Sequence, residues 1–269
     1  MSNTKYKDLI KYLKEKQKIA VAFSGGVDSA FLLAACKDAI GDKVLAITVK
    51  TSYIPDVEIE DAKAFVNSLN IRHKIINLPI PPEIIQNPPE RCYLCKTKIF
   101  TSIKEIAAAE GISIVADGSN KDDMSDYRPG MKALRELDVI SPLLECGITK
   151  QEIREYSQDL NLPTWDKPAM ACLLTRIPYN TTIDIESLKR IAHAENYIRS
   201  EGLAHVRVRD HGNIARIETS PDEMRRLLLT GIHEKIVRNL KNIGYEFITL
   251  DLEGYRTGSF NETLHPMNQ

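Results

Sequence analysis

Short apolar runs alternate with amphipathic stretches along the first two thirds of the chain. Ile19-Ala20-Val21-Ala22-Phe23 and Val44-Leu45-Ala46-Ile47-Thr48-Val49 are apolar throughout, and residues 72–78 and 112–116 read as two further strands. Runs without polar alternation belong in a sheet covered on both faces. Between them lie helical patterns. Residues 5–16 place Tyr6, Leu9, Ile10 and Leu13 on one face of a lysine-rich helix; a second helix follows Ala30 and stops at Gly41, and a third spans about 57–69. Ile99, Phe100, Ile103 and Ile106 are the core stripe of another, ended by Gly111. A short strand is expected at 139–144, and Thr149-x-x-Glu152 is a capping box for a helix ending near Leu160. Strand alternating with helix predicts an α/β fold with a doubly wound parallel sheet.

From Asn161 to Asn180 the periodicity disappears. This stretch, with its prolines, Trp165 and Cys172, reads as a hinge and part of the active site. Beyond it come a helix at 184–200, strands at 205–209 and 214–218, a helix capped by Ser220, a further helix to about Ile243 and a strand at 245–252. That order predicts a smaller C-terminal α+β domain. The expected boundaries are 1–165, 166–181 and 182–269.

The first strand runs into Ser24-Gly25-Gly26-Val27-Asp28-Ser29, and a helix leaves it. Two glycines let the backbone turn with its N–H groups inward, and the helix offers its positive end to an anion. Ser24 and Ser29 add hydroxyl donors. Asp28 meets a phosphate only through a divalent cation, so the expected ligand is the Mg-pyrophosphate of ATP. The motif lacks the Lys-Ser/Thr ending of a Walker loop and the third glycine of a dinucleotide fold. It resembles the S-G-G-x-D-S signature of the PP-loop ATP pyrophosphatases, which implies an adenine nucleotide alpha hydrolase-like fold and adenylation of a carbonyl or carboxylate. Thr48 and Lys50, ending the second strand, should face the adenine side. Gly118 and Asn120, in Asp117-Gly118-Ser119-Asn120, lie at another strand end where a ligand would sit.

Composition removes several alternatives. Among 269 residues, 43% are hydrophobic and 27% charged, which is ordinary for a globule, and the formal net charge is -1. Nothing overall recruits the chain to nucleic acid, and no apolar window is long enough to span a membrane. With a polar start, Met1-Ser2-Asn3-Thr4-Lys5, a cytoplasmic protein is expected, as is a homo-oligomer.

Five cysteines in such a chain are not a disulfide framework. Cys92 and Cys95, at the start of a helix after a proline-rich loop, are spaced to reach one metal centre, and Cys172 lies on an irregular loop able to fold back over the strand ends. Three thiolates suit an iron-sulfur cluster with one open iron better than structural zinc, which usually takes four ligands. A redox pair, or a zinc site completed by Cys146 or a histidine, remains open. Arg176, four residues after Cys172, would make that thiolate exposed and electropositive. Cys36 is expected in the core.

Arg207 and Arg209 alternate with Val206 and Val208, so both project from one face of a strand, with Arg216 and Glu218 on the next and Glu195 on the preceding helix. Paired guanidinium groups recognise phosphate or carboxylate. A solvated face with cross-strand ion pairs is the plainer reading.

Across both domains the text resembles the LarE sulfur insertases, which serve the nickel-pincer nucleotide cofactor of lactate racemase. The resemblance rests on residues 24–29, Asp117-Gly118-x-Asn120, Asp126-Tyr127-Arg128-Pro129-Gly130, and Pro168-Ala169-x-Ala171-Cys172-Leu173-x-Thr175-Arg176-x-Pro178-Tyr179. It continues through Val206-Arg207-Val208-Arg209, Ala215-Arg216-Ile217-Glu218 and Leu250-Asp251-Leu252-x-Gly254-Tyr255-Arg256-x-Gly258. It implies adenylation of a pyridinium biscarboxylate mononucleotide and its conversion to a thiocarboxylate. Cys172 matches the cysteine that one branch sacrifices to dehydroalanine. Cys92 and Cys95 are absent from that branch, so the resemblance implies a three-cysteine form in which Cys92, Cys95 and Cys172 hold a [4Fe-4S] cluster fed by sulfide or a sulfur donor. Lys96, Arg128 or Arg176 would offset charge at the α phosphate, and Glu195, Arg207, Arg209 and Glu218 would handle the substrate phosphate and a divalent metal. A tRNA thiolase would share the loop and cluster but needs an RNA-binding domain or basic stripe, and a nucleotide-binding sensor has no use for three cysteines.

Overall fold

The computed structural model describes residues 4–125, 129–168, 171–256 and 260, which divide between two units. In the first, Met1–Pro81 with Glu90–Met170, the order is α1 (Thr4–Glu15), β1 (Ile19–Ala22), α2 (Val27–Ile40), β2 (Val44–Lys50), α3 (Asp56–Ser68) and β3 (Arg72–Asn77). It continues with α4 (Arg91–Ala109), β4 (Val115–Ala116), α5 (Gly130–Glu136), α6 (Pro142–Glu145) and α7 (Lys150–Asp159). The strands form a parallel sheet in the order β3-β2-β1-β4. Each face carries its own apolar cluster, one built on Val21, Phe31, Leu32 and Phe65, the other on Leu45, Ile47, Phe100 and Ile103. This is the doubly wound α/β sheet that the uninterrupted apolar runs predict.

Strand order reverses at β1. The chain leaves it toward β2 and β3, then returns to its other side as β4, so the crevice between the ends of β1 and β4 is the place for a ligand.

Two expected strands are shorter than their apolar patterns. Residues 112–116 pair only over Val115–Ala116, and 139–144 yields a single parallel bridge, Ile140 to Ala116. Pro142 explains the second. Lacking an N–H and fixed near helical φ, it is suited to a first helical position, and α6 starts there. The capping box at Thr149 forms as the sequence predicts: Thr149 accepts from the Glu152 amide, and Glu152 accepts from the Thr149 amide at 2.8 Å.

The second unit joins Pro82–Pro89 to Ala171–Gln269. The proline-rich segment is tied by hydrogen bonds from Asn180 N to Asn87 O and Ile183 N to Ile85 O, while buried Asn87 donates its amide to the carbonyls of Ile177 and Pro178. A 3-10 turn at Leu173–Arg176 leads to α8 (Ile185–Ser200), β5 (Val206–His211), β6 (Ile214–Thr219), α9 (Pro221–Leu229), α10 (Ile232–Asn242) and β7 (Phe247–Leu250). β5 and β6 form an antiparallel hairpin, and β7 adds parallel to β6. Val206, Val208, Ile217, Ile198 and Leu240 are in its core.

Candidate active site

The turn after β1 is built from main chain. Gly25 holds φ at +76°, which only glycine adopts without strain, and Gly26 caps α2 with no side-chain bond. Ser29 donates to Gly26 O at 3.1 Å, and the Ser24 and Ser29 hydroxyls lie 3.2 Å apart. At the end of β4, Gly118 lies against this turn: a Cβ there would come 2.9 Å from Ser29 N. Asp117 braces the approach, accepting from Ser119 at 2.5 Å and Ser141 at 2.6 Å. The sheet reversal thus brings residues 24–29 and 117–120 to one crevice.

A cavity of about 480 Å³ opens beside them. Ser24, Gly26, Asp28, Ser29, Thr48 and Lys96 are among its polar lining residues, and Ile47, Val49, Ile54, Ile99 and Phe100 among its apolar ones. Polar groups for phosphates together with apolar surface for a flat base are what a nucleotide needs. Lys96 lays its stem across Gly130, where a Cβ would meet its Cδ at 2.6 Å. Thr48 donates to Phe23 O at 2.8 Å, and His73 Nε2 lies 2.8 Å from the same hydroxyl. Thr48 has one proton, already given, so His73 must donate; burial, aided by Lys63, keeps that ring below its ordinary pKa. Lys50 is exposed and pairs with Asp56 at 2.7 Å.

Asp28 has two partners that the sequence reading missed. Lys150 Nζ lies 2.5 Å from Oδ2, and Asn120 donates to Oδ1 at 3.3 Å. Lys150 is the first residue of α7, inside the Thr149–Glu152 capping box, so its position suggested a helix start; only the fold turns its ammonium toward Asp28. Arg128 lies outside the described residues.

No disulfide joins any of the five cysteines. Cys36 is buried in the core as expected, its thiol pushed up by desolvation. Cys92 is exposed and Cys95 half-buried in the first turns of α4. Burial pushes the Cys95 thiol up, opposed by a hydrogen bond with Tyr53. At i and i+3 the two thiols share a helix face, a fitting donor pair for iron. Among the described residues no group of three or more His, Cys, Asp or Glu side chains is gathered for a metal.

In the second unit Arg176 is a correction. It is fully buried, and its guanidinium forks onto Glu195 at 2.8 and 3.0 Å while donating to the carbonyls of Ala171 and Cys172. It shapes the Cys172 backbone rather than lending an exposed charge to the thiol. Glu195 also accepts from Arg199 at 2.6 Å and the Val208 amide at 3.1 Å. Burial opposes its ionisation, yet the guanidinium groups of Arg176 and Arg199 hold its carboxyl below the usual range. Glu218, fully buried, accepts from Arg209 at 2.6 Å and Arg216 at 3.1 Å. Both carboxylates are therefore engaged by arginine in this structure.

The arginine strand is not the solvated face that spacing alone favours. Arg207 is 9% and Arg209 4% exposed, with their guanidinium groups over the Tyr255 and Phe260 rings. Desolvation, reinforced by Arg176, presses Arg207 below its ordinary pKa. Arg176 and Arg199 pair with Glu195, and Arg209 and Arg216 with Glu218, Arg216 also lying 3.6 Å from Asp251.

The NAD synthase family profile matches residues 3–97, a segment that includes the Gly25-Gly26 turn. An uncharacterized protein of Synechocystis is 40% identical over 98% of this chain and 99% of its own. The pyridinium-3,5-bisthiocarboxylic acid mononucleotide synthase of Lactiplantibacillus plantarum is 35% identical over 97% of this chain and 95% of its own. The chain belongs to the LarE family. An uncharacterized Methanocaldococcus jannaschii protein, 35% identical over 91% of this chain and 94% of its own, extends the similarity to an archaeon. As a LarE-family PP-loop protein it is an ATP-dependent enzyme. Among the described residues no helix is long and apolar enough to cross a membrane.

Proposed function

We propose that this chain is an ATP-dependent sulfur transferase that adenylates a carboxylate of a pyridinium biscarboxylate mononucleotide and converts it to a thiocarboxylate. The main support is full-length kinship with a synthase whose name specifies that product, in a chain that carries a complete PP-loop crevice. The turn at residues 24–29 grips the β and γ phosphates with its N–H groups, and Asp28 would hold Mg, which screens phosphate charge when bound. Lys96 offsets charge as the substrate carboxylate attacks the α phosphate and pyrophosphate leaves. Arg207 and Arg209 seat the substrate's own phosphate.

Cys92, Cys95 and Cys172 would hold a [4Fe-4S] cluster, which supplies sulfide when bound. Cys172 is then a ligand and not a spent donor. The buried Arg176–Glu195 pair fixes the carbonyls of Ala171 and Cys172 on either side of it. Sulfide or a small sulfur donor restores the sulfur, and the protein works in the cytoplasm as a homo-oligomer.

Pyrophosphate release with ATP and Mg is the test. Stimulation by the biscarboxylate mononucleotide is expected; stimulation by tRNA in its place would make the protein a tRNA thiolase, and no stimulation by either would overturn the reading.

A further inference from the structure

Lys150 carries a charge that adenylation as proposed leaves unused. Its main chain is fixed, because it lies inside the capping box of α7 and its amide donates to Asp122 Oδ2 at 2.8 Å. The side chain is 34% exposed, and its ammonium ends 2.5 Å from Asp28 Oδ2. Asn120 takes the other oxygen. Its own carbonyl oxygen accepts the Asp122 amide at 2.9 Å, so its NH2 group faces Asp28 Oδ1.

The carboxylate that lines the crevice with Ser24, Gly26 and Ser29 is thus neutralised by an ammonium of its own chain. A divalent cation reaching Asp28 by itself meets a positive charge already in contact with the carboxylate, and displacing that charge leaves an ammonium without its partner. A cation arriving on a triphosphate brings the anion that the displaced ammonium needs. Lysine suits such an exchange, since its head is a compact charge with three donors on a flexible four-carbon stem.

We propose that Lys150 is a nucleotide-binding residue that makes cation binding at Asp28 depend on ATP: it pairs with Asp28 in the nucleotide-free protein, excludes the free divalent cation, and turns its ammonium to the phosphates of Mg-ATP. The proposal rests on the reading of residues 24–29 as the Mg-ATP site.

Lys150→Met keeps the stem and removes the charge, and Lys150→Arg keeps the charge. In the full-length protein, Mn(II) serves as the probe cation: free Mn(II) is counted by electron paramagnetic resonance without nucleotide, and Mg-ATP affinity is measured by calorimetry. Lys150→Met is expected to bind nucleotide-free Mn(II) about tenfold tighter than wild type and Mg-ATP about tenfold weaker, a crossed change that lost packing does not produce. The gain in Mn(II) affinity should vanish when Asp28→Asn is added, and Lys150→Arg should reject Mn(II) as wild type does. A Lys150→Met variant with both affinities unaltered, or both weakened, overturns this assignment alone, as does Lys150→Arg taking up Mn(II) like Lys150→Met. A wild type that binds no Mg-ATP overturns it together with the reading of residues 24–29. Should Lys150→Met fail to fold, Lys150→Gln takes its place with the same expected and contrary results.

Discussion

The two proposed anion sites use different materials. In the first, the cradle is main chain: Gly25 at positive φ, the Gly26 cap and the close approach of Gly118 to Ser29 N. Backbone dipoles need no counter-charge and carry no desolvation problem, but they demand residues without a Cβ. In the second, the provision is side-chain guanidinium, and burying it requires Glu195 and Glu218 as internal partners. The first arrangement is sensitive to volume, the second to charge.

Removing a charge partner should have the largest effect. Glu195→Ala leaves Arg176 and Arg199 without their carboxylate and is expected to cost about 3–5 kcal/mol of stability, read from denaturant unfolding. An unchanged midpoint would mean that the second unit tolerates its cations unpaired. Volume comes next. Gly118→Ala pushes a methyl group into the Ser29 backbone, and pyrophosphate formation should fall about a hundredfold, an effect of the size produced by removing one preorganised donor, with a loss of about 1–3 kcal/mol of stability from the clash. A Gly118→Ala variant that folds and releases pyrophosphate at the wild-type rate would exclude Gly118 from the cradle.

Arg207→Ala should raise KM for the mononucleotide about tenfold or more and leave KM for ATP alone, since a hydrogen bond to a charged group contributes about 1.5–3 kcal/mol. Equal changes in both would break the division of labour between units. Acid gives a smaller, graded effect. Because Glu195 has a folded-state pKa below its ordinary value, its stabilisation is whole above about pH 4.3 and is lost as pH falls through the depressed value. The melting temperature should drop over that window in wild type and drop less in Glu195→Gln. Smallest is Thr149→Ala, about 1 kcal/mol from the lost cap, measured by thermal unfolding.

The same contrast governs how much could be read from the sequence. Apolar runs and the Gly25-Gly26 turn announce the sheet and its cradle because strand burial and positive φ are local demands with local residue signatures. The buried arginines were visible only as an alternation. Whether Arg207 and Arg209 face water or protein depends on what covers the strand, and no spacing encodes that. Arg176 was misread for the same reason: its partner Glu195 lies on α8, and nothing near Cys172 in sequence signals it. Lys150 and Tyr53 were missed because their partners, Asp28 and Cys95, are reached only through the sheet order and the β2–α3 loop. The strand expected at 139–144 failed more locally, at Pro142.

Product per chain, measured together with intact-protein mass, tests the central claim most directly. Anaerobic protein is given ATP, Mg, sulfide and the biscarboxylate mononucleotide. An ATP-dependent transferase that keeps Cys172 is predicted to form several thiocarboxylates per chain, each with one AMP and one pyrophosphate, and to retain its mass. At most one product per chain, with loss of the elements of hydrogen sulfide from Cys172, would contradict it.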